Sequence, residues 1–313
     1  MSVNNFKVSI LIPTFNQSKY LPEAIESALG QNYKNLEVIV GDDASSDDTK
    51  SIVKKIHDPR LKYVLNEKNL GRVKNYRNLL YKHATGDYVV NLDGDDYYTT
   101  KDFITEAIDC ISKEDNNTVM VVARATRKTS FSEFISEIHN YRERTGIEIL
   151  LKLPQKNYLL MHMAVIYSRK HAMDIGFYNI DVISSDWESL YRLSLRGRVR
   201  YLNKNIGVWR IHDKNISRNS DYVEQLNNLK IWPSIYKEAV SFGMNPILGK
   251  IISVRCVVFF SISACEIVSK DGNLSLCKFL LGLLKSHSIE TIILLLFPRF
   301  YIQLTLCFFG YYR

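Results

Sequence analysis

The sequence predicts an α/β fold: a Rossmann-like, mostly parallel sheet followed by an apolar, helical C-terminal extension. Three observations carry this. Short β-rich runs alternate with stretches of helical periodicity between residues 7 and 96, as in successive βαβ units. Those runs are apolar on both faces, as strands buried between two helix layers are. From about Pro246 the chain turns to long apolar segments with sparse charge.

Taken in order, residues 7–12 (KVSILI) read as a first strand ended by Pro13, and Ser18–Leu29 as a helix with Leu21, Ile25, Ala28 and Leu29 on one face. LEVIVGDD is a second strand. Asp47 or Asp48 then caps a helix from Thr49 to Ile56. KYVLNEKNLG gives a third strand and a turn, and residues 72–83 a helix. Tyr88–Asp96 (YVVNLDGDD) is a fourth strand running into an acidic turn. Residues 112–118 and 127–146 are polar and read as loops, 158–168 as a strand, and 186–196 as a helix with Asp186 at its start. VRYLNKNIGVWRIHDKNIS reads as two short strands and a loop. A boundary is expected between residues 220 and 245, dividing a catalytic unit (1–220) from a helical C-terminal region (221–313).

Composition narrows the function. The 313 residues hold 41 Lys plus Arg against 33 Asp plus Glu, a net +8, with 46% hydrophobic and 24% charged residues. That excludes a wholly disordered chain. The acids crowd into the first half, so the positive balance falls on the apolar second half. An anionic membrane surface suits this better than nucleic acid, for which no motif is present. Cys110, Cys256, Cys265, Cys277 and Cys307 are odd in number and have no CxxC or Cys/His spacing, which disfavours a disulfide framework or structural zinc. The opening apolar run, about six residues, is too short for a secretory leader, so a cytoplasmic enzyme is expected. GxxxxGK[ST] and GxGxxG are both absent, which disfavours a P-loop or a standard dinucleotide site.

In a parallel sheet, ligands bind outside the carboxyl ends of the strands. Three polar clusters sit there: Pro13-Thr14-Phe15-Asn16, Asp42-Asp43, and Asp93 to Asp96. Asp93 and Asp95 can hold a hard divalent cation together with substrate phosphates, although a DxD alone is also an ordinary polar turn. Asp42 and Asp43 can accept hydrogen bonds from a ribose or a base, or can be solvated turn residues. Arg72 and Arg77, after Asn69-Leu70-Gly71, suit a base or a phosphate, or a solvated helix face. Asp186 is either a helix N-cap or a general base. His212 is either a metal ligand or a satisfied histidine at a strand end.

Together these segments resemble the family 2 glycosyltransferases, which have the GT-A fold. VSILIPTFNQSKYLPEAIESALGQNYKNLEVIVGDDASSDDT resembles that family's opening, NLGRVKNYRNLLYKHATGDYVVNLDGDD continues it, and SSDWESLYRLSLRGRVRYLNKNIGVWRIHDKNIS resembles its closing catalytic segment. The resemblance covers roughly residues 6–220. It implies that Pro13, Thr14 and Phe15 hold the base and ribose, with Asn16, Asp42, Asp43, Asn69, Gly71, Arg72 and Arg77 completing the nucleotide-sugar site. It implies that Asp93 leans toward the ribose and donor sugar, that Asp95 and His212 bind Mn2+ or Mg2+, and that Arg210 meets phosphate charge. Asp186 would be the catalytic base of an inverting transfer. Ser185 departs from the glutamate that often precedes this base, which bears on acceptor contacts more than on chemistry.

The C-terminal apolar segments, 246–268 and 289–309, are expected to anchor the enzyme on the inner face of the cytoplasmic membrane, with packed helices or a true span as alternatives. Lys278, Lys285, Arg299 and Arg313 would meet anionic headgroups. The expected donor is a nucleotide-diphosphate sugar, with UDP-sugars the commonest in such enzymes. The expected acceptor is a saccharide on a polyprenyl diphosphate, in O-antigen or capsule synthesis, and Met161, His162 and residues 127–157 are candidates to shape its pocket. A non-catalytic sugar- or nucleotide-binding module and a nucleotidyltransferase are the alternatives.

Overall fold

The computed structural model describes residues 6–112, 117–129, 132–135, 143–155, 159–213, 215 and 219–295. The first unit follows the expected alternation: β1 (Val8–Thr14), α1 (Leu21–Leu29), β2 (Leu36–Asp42), α2 (Thr49–Lys54), β3 (Leu61–Leu65), α3 (Arg72–Asn78) and β4 (Tyr88–Asn91). Then come β5 (Tyr97–Tyr98), α4 (Phe103–Ser112), β6 (Thr118–Lys128), β7 (Glu133–Ile135), β8 (Glu143–Thr145), α5 (Gly146–Lys152), β9 (Val165–Ser168), α6 (Arg169–Asp174), α7 (Ser185–Ser194) and β10 (Arg198–Arg210). Helices close the chain: α8 (Tyr222–Asn228), α9 (Ile231–Ser241), α10 (Pro246–Val268), α11 (Asn273–Ser286) and α12 (Ser288–Leu295).

One sheet runs in the order β3-β2-β1-β4-β9-β6-β10-β5, with β7 on β6 and β8 on β10. From β3 to β4 all pairings are parallel, and β6 and β10 are parallel too. Between them β9 is antiparallel to both β4 and β6. The chain leaves β1 for β2 on one side and returns to β4 on the other. The order therefore reverses at β1, the place where open α/β sheets leave a crevice beyond their carboxyl ends.

The alternation of β1 explains the layering. Val8, Ile10 and Ile12 pack with α1, α2 and α4, while Leu11 faces α3, α7, α9 and α10 on the other side. The C-terminal helices thus share a core with the sheet. Trp232 of α9, Cys256 and Val257 of α10 and Phe279 of α11 are fully buried in it.

Several elements differ from the sequence reading. The apolar run TVMVVARATRK forms β6, whose charges at Arg124, Arg127 and Lys128 mask a buried central strand. The strand expected over 158–168 narrows to Val165–Ser168 after a short 3-10 turn at His162–Ala164. A short apolar run alone does not separate a strand from a buried turn. Conversely, β10 is one strand and not two: its polar NKN segment is absorbed as register shifts against β6, with Asn205 Nδ2 donating to Thr126 Oγ1 at 2.8 Å. The helix from Arg72 widens into a π turn over Leu79–His83. A Thr145–Glu148 capping box starts α5 next to a stretch read as loop. Of residues 289–309, the part beyond 295 lies outside the described residues, as do Cys307, Arg299 and Arg313.

Two devices fix the segments that carry the polar clusters. Arg192 of α7 is nearly buried between Glu188 at 3.3 Å and Glu238 of α9 at 2.5 Å, and also donates to the carbonyl of Ile175. Burial raises the Glu188 carboxyl and the facing Arg192 opposes that rise. The pair locks α7 against α9. At the other side, Asp47 does the capping of α2. Its Oδ1 accepts from Thr49 N (3.1 Å) and Thr49 Oγ1 (2.6 Å), and its Oδ2 accepts from Ser18 N at 2.9 Å. Asp48 makes no side-chain cap bond. Partial burial opposes ionisation of Asp47, but the Thr49 and Ser18 hydrogen bonds outweigh it and bring the carboxyl from 3.8 down to about 2. A carboxyl depressed on folding stabilises the fold above its unfolded value and ceases to do so as pH falls through its folded value. The stability advantage of wild type over Asp47→Asn should therefore be full at pH 6 and shrink as pH falls from about 4 to about 2. Urea unfolding across that range checks this, and an advantage independent of pH would contradict it.

Candidate active site at the carboxyl ends of β1 and β4

A single cleft of about 1900 Å3 opens beyond the carboxyl ends of β1, β2 and β4. Pro13, Thr14, Phe15, Asn16, Asp43, Asn69, Gly71, Arg72, Asp93, Asp95, Asp186 and His212 all line it, so most of the residues singled out from sequence converge. Met161 and His162 line it as well.

The floor is built from two interlocked loops. Asn16, with a left-handed φ of 53°, accepts Ser46 N on its side-chain oxygen at 2.9 Å, while its own N–H donates to Ser45 Oγ at 2.9 Å. This clamps the end of β1 to the end of β2 and leaves the Phe15 ring 46% exposed at the cleft. Asp43 is buried and organises the next loop, accepting from Leu70 N (2.8 Å), Gly71 N (2.9 Å) and Asn66 Nδ2 (2.9 Å). Gly71 has a φ of 88°, which favours glycine there. The reading of Asp42 and Asp43 as solvated turn residues is thus overturned, since both are buried.

The acidic turn after β4 lies against β1. Gly94 N donates to Pro13 O at 3.2 Å, and a Cβ at Gly94 would sit 2.6 Å from Gln17 Oε1 and 2.9 Å from Thr14 Oγ1. A side chain at this position would press on Gln17 and Thr14. Asp93 Oδ1 accepts from Tyr76 OH at 2.8 Å, and Asp95 Oδ2 meets His212 Nε2 at 2.9 Å. Asp96 is buried and accepts from Arg210 N at 2.9 Å. Burial, then the charge of Asp93, raises Asp95, with His212 opposing. Asp96 is raised further by burial and by both neighbouring carboxylates. Burial and mutual repulsion in the turn therefore oppose ionisation more than its hydrogen bonds favour it.

Asp186 lines the same cleft from the first turn of α7, followed by Trp187, whose Nε1 donates to Leu160 O at 2.8 Å. Arg72 links the two sides. Its guanidinium lies 5.5 Å from the Tyr76 ring and donates to the carbonyls of Val182 (3.1 Å) and Ile183, just before α7. Burial opposes its charge, but Tyr76, Asp186 and Asp93 outweigh burial and hold Arg72 above its ordinary value.

Three residues expected in the nucleotide-sugar site lie outside the cleft lining. Asp42 accepts from Ser45 N (2.8 Å) and Tyr63 OH (2.6 Å) and braces the loop from beneath. Arg77 donates to Phe177 O (3.0 Å) and Tyr178 O (3.3 Å). Arg210 backs the acidic turn: it donates to Asp95 O at 2.7 Å, pairs with Glu23 and lies 4.2 Å over the Tyr97 ring. Its guanidinium is thereby engaged with the acidic turn, behind the cleft lining. Sequence reasoning missed Tyr76, although its four-residue spacing from Arg72 puts both on one helix face. It also left Asp96 unassigned and missed Phe259, Phe260, Ser263 and Glu266 of α10, which line the cleft. No local signal in α10 marks them.

Comparison with known proteins accords with this geometry. Over 92 residues, 29% of this chain and 30% of the relative, it is 44% identical to a GalNAc(5)-diNAcBac-PP-undecaprenol beta-1,3-glucosyltransferase of Campylobacter jejuni. It is 43% identical over 93 residues, 30% of this chain and 37% of the relative, to a UDP-Glc:alpha-D-GlcNAc-diphosphoundecaprenol beta-1,3-glucosyltransferase of Escherichia coli. The matched segment thus spans about a third of the length of these relatives. In three dimensions the fold matches TarS of S. aureus in complex with UDP-GlcNAc, with a TM-score of 0.71 over 88% of this chain and 79% of that one, at 22% identity. This likeness establishes a GT-A glycosyltransferase fold. The family model for glycosyl transferase family 2 matches residues 9–176, more than half of the chain, and the protein accordingly belongs to that family.

Proposed function

We propose that this protein is an inverting glycosyltransferase that moves a sugar from a nucleotide diphosphate, UDP foremost, to a hydroxyl of a lipid-linked saccharide in bacterial surface-polysaccharide synthesis. The observation that carries this is the convergence of Asp93, Asp95 and Asp186 on one cleft that Phe15, Asp43 and Asn69 also line. The relatives named above, which act on undecaprenyl-diphosphate saccharides, support the acceptor class. The UDP-GlcNAc in the TarS complex supports the donor class.

The residues divide the work. Phe15 offers a ring face to the base, and Asp43 and Asn69 polar atoms to base or ribose. Asp93, held by Tyr76, faces the ribose and donor sugar. Asp186 accepts the proton of the acceptor hydroxyl as that oxygen bonds to the anomeric carbon. The anomeric carbon's bond to the diphosphate breaks with its electron pair leaving on the phosphate, so attack from the opposite face inverts configuration. Among the described residues no cluster of three or more His, Cys, Asp or Glu stands ready to hold a metal ion. The Asp95–His212 pair nonetheless fits Mn2+ or Mg2+: it would offer an oxygen and a nitrogen donor beside the other carboxyl groups of the turn. Such an ion, when bound, supplies charge neutralisation for the leaving diphosphate.

Association with the cytoplasmic membrane surface is part of the reading. Ile247, Ile251, Leu274, Leu281, Ile289 and Ile292 of α10–α12 are more than half exposed, and Lys250, Lys278 and Lys285 lie among them in sequence. α10 is long and apolar enough to cross a membrane by length and composition, yet 56% of its most apolar window is buried in the protein, which favours lying on the surface.

Two experiments test the reading. A panel of nucleotide sugars is scored for transfer to a synthetic undecaprenyl-type diphosphate GlcNAc. One donor should turn over with wild type, and Asp186→Asn should lower the rate by about two to four orders of magnitude. Equal turnover by Asp186→Asn would exclude Asp186 as the base. In a flotation assay, the full chain should rise with vesicles containing phosphatidylglycerol and less with purely zwitterionic ones. Sedimentation away from both would refute membrane association.

A further inference from the structure

We propose that the cleft-facing side of α10, with Trp187 of α7, forms the subsite that seats a pyranose of the acceptor. This rests on the glycosyl-transfer reading and names the residues that hold its second substrate. Phe259, Ser263 and Glu266 of α10 line the cleft. Spaced by four and then three residues, they form one stripe along the helix.

The wall behind that stripe is rigid. Phe260 stacks on Trp232 of α9 with ring centroids 4.7 Å apart and planes at 15°. Trp187 meets Phe260 edge-on at 5.5 Å, and its indole N–H is fixed by the Leu160 carbonyl at 2.8 Å. Two large aromatics are therefore in place before any ligand arrives. Trp187 directly follows Asp186 in the first turn of α7, so a group seated on this wall lies beside the base. Residues 259–266 fall outside the segment matched by the family model, which ends at 176.

The chemistry selects a saccharide. Ring faces of Phe259 and Trp187 suit the C–H face of a pyranose, and the Ser263 hydroxyl and Glu266 carboxylate suit its hydroxyls. A polyprenyl chain would satisfy the rings but offers no polar group to match Ser263 and Glu266.

The test is ligand-observed NMR on the full chain with UDP and Mn2+ present, using the methyl glycosides of glucose, galactose, N-acetylglucosamine and N-acetylgalactosamine as probes. At least one should bind wild type. Glu266→Gln and Phe259→Ala should each weaken it by about tenfold, the scale of one lost hydrogen bond to a charged group or of one lost stacking contact. UDP affinity, measured by calorimetry, should stay unchanged in both variants. Pyranoside binding unaffected by both substitutions, or a wild type that binds UDP but none of the probes, would overturn the assignment while leaving the donor reading intact. Loss of UDP affinity in the variants would move the stripe to the donor side and also overturn it. A wild type that binds no UDP would remove the donor reading and the proposal together.

Discussion

The crowding of three carboxylates, Asp93, Asp95 and Asp96, into one largely buried turn is the constraint around which the rest of the site is arranged. Such a turn is costly alone, because burial and mutual repulsion both oppose ionisation. The chain answers it with partners from distant segments. Tyr76 comes from α3, while Arg210 and His212 come from the end of β10, and Gly94 removes the side chain that would hold the turn off β1. These partners fix the geometry of the turn without removing the crowding of its carboxyl groups.

The same partners tie the acidic turn to the segment that carries Asp186. Arg72 and Tyr76 sit one helical turn apart on α3, and Arg72 reaches the carbonyls that lead into α7. Helix α7 is in turn held by the Arg192–Glu188–Glu238 cluster to α9 and by Trp187 to the Leu160 carbonyl. The C-terminal helices therefore do more than cover the sheet. Through α9 they steady the helix that carries Asp186, and through α10 they complete the cleft beside it.

Much of the first half was legible from sequence, because buried parallel strands write themselves as apolar runs and place their polar residues at one rim. The family resemblance, which rested on those rim clusters, agrees with the match over residues 9–176. Side-chain direction was less legible. Asp42 and Asp43 are neighbours at a strand end, where successive side chains point to opposite faces, and only Asp43 reaches the cleft. Arg72 and Arg77 are five residues apart, roughly 140° around a helix, so one faces the cleft and the other the Phe177–Tyr178 carbonyls. Arg210 reads like a phosphate ligand, but stacks on Tyr97 and braces Asp95. β10 was split in two because its polar bulge resembles a loop. The part played by α10 depends on packing between elements more than seventy residues apart, which no local pattern encodes.

The central claim is that the acidic turn with His212 is where a divalent cation and a nucleoside diphosphate meet. Calorimetric titration of UDP into wild type and Asp95→Asn, each with and without Mn2+, tests it most directly. The account predicts that Mn2+ tightens UDP binding to wild type by about tenfold or more and that Asp95→Asn abolishes this gain while staying folded. UDP binding that is indifferent to Mn2+ in wild type, or a gain that survives in Asp95→Asn, would contradict it.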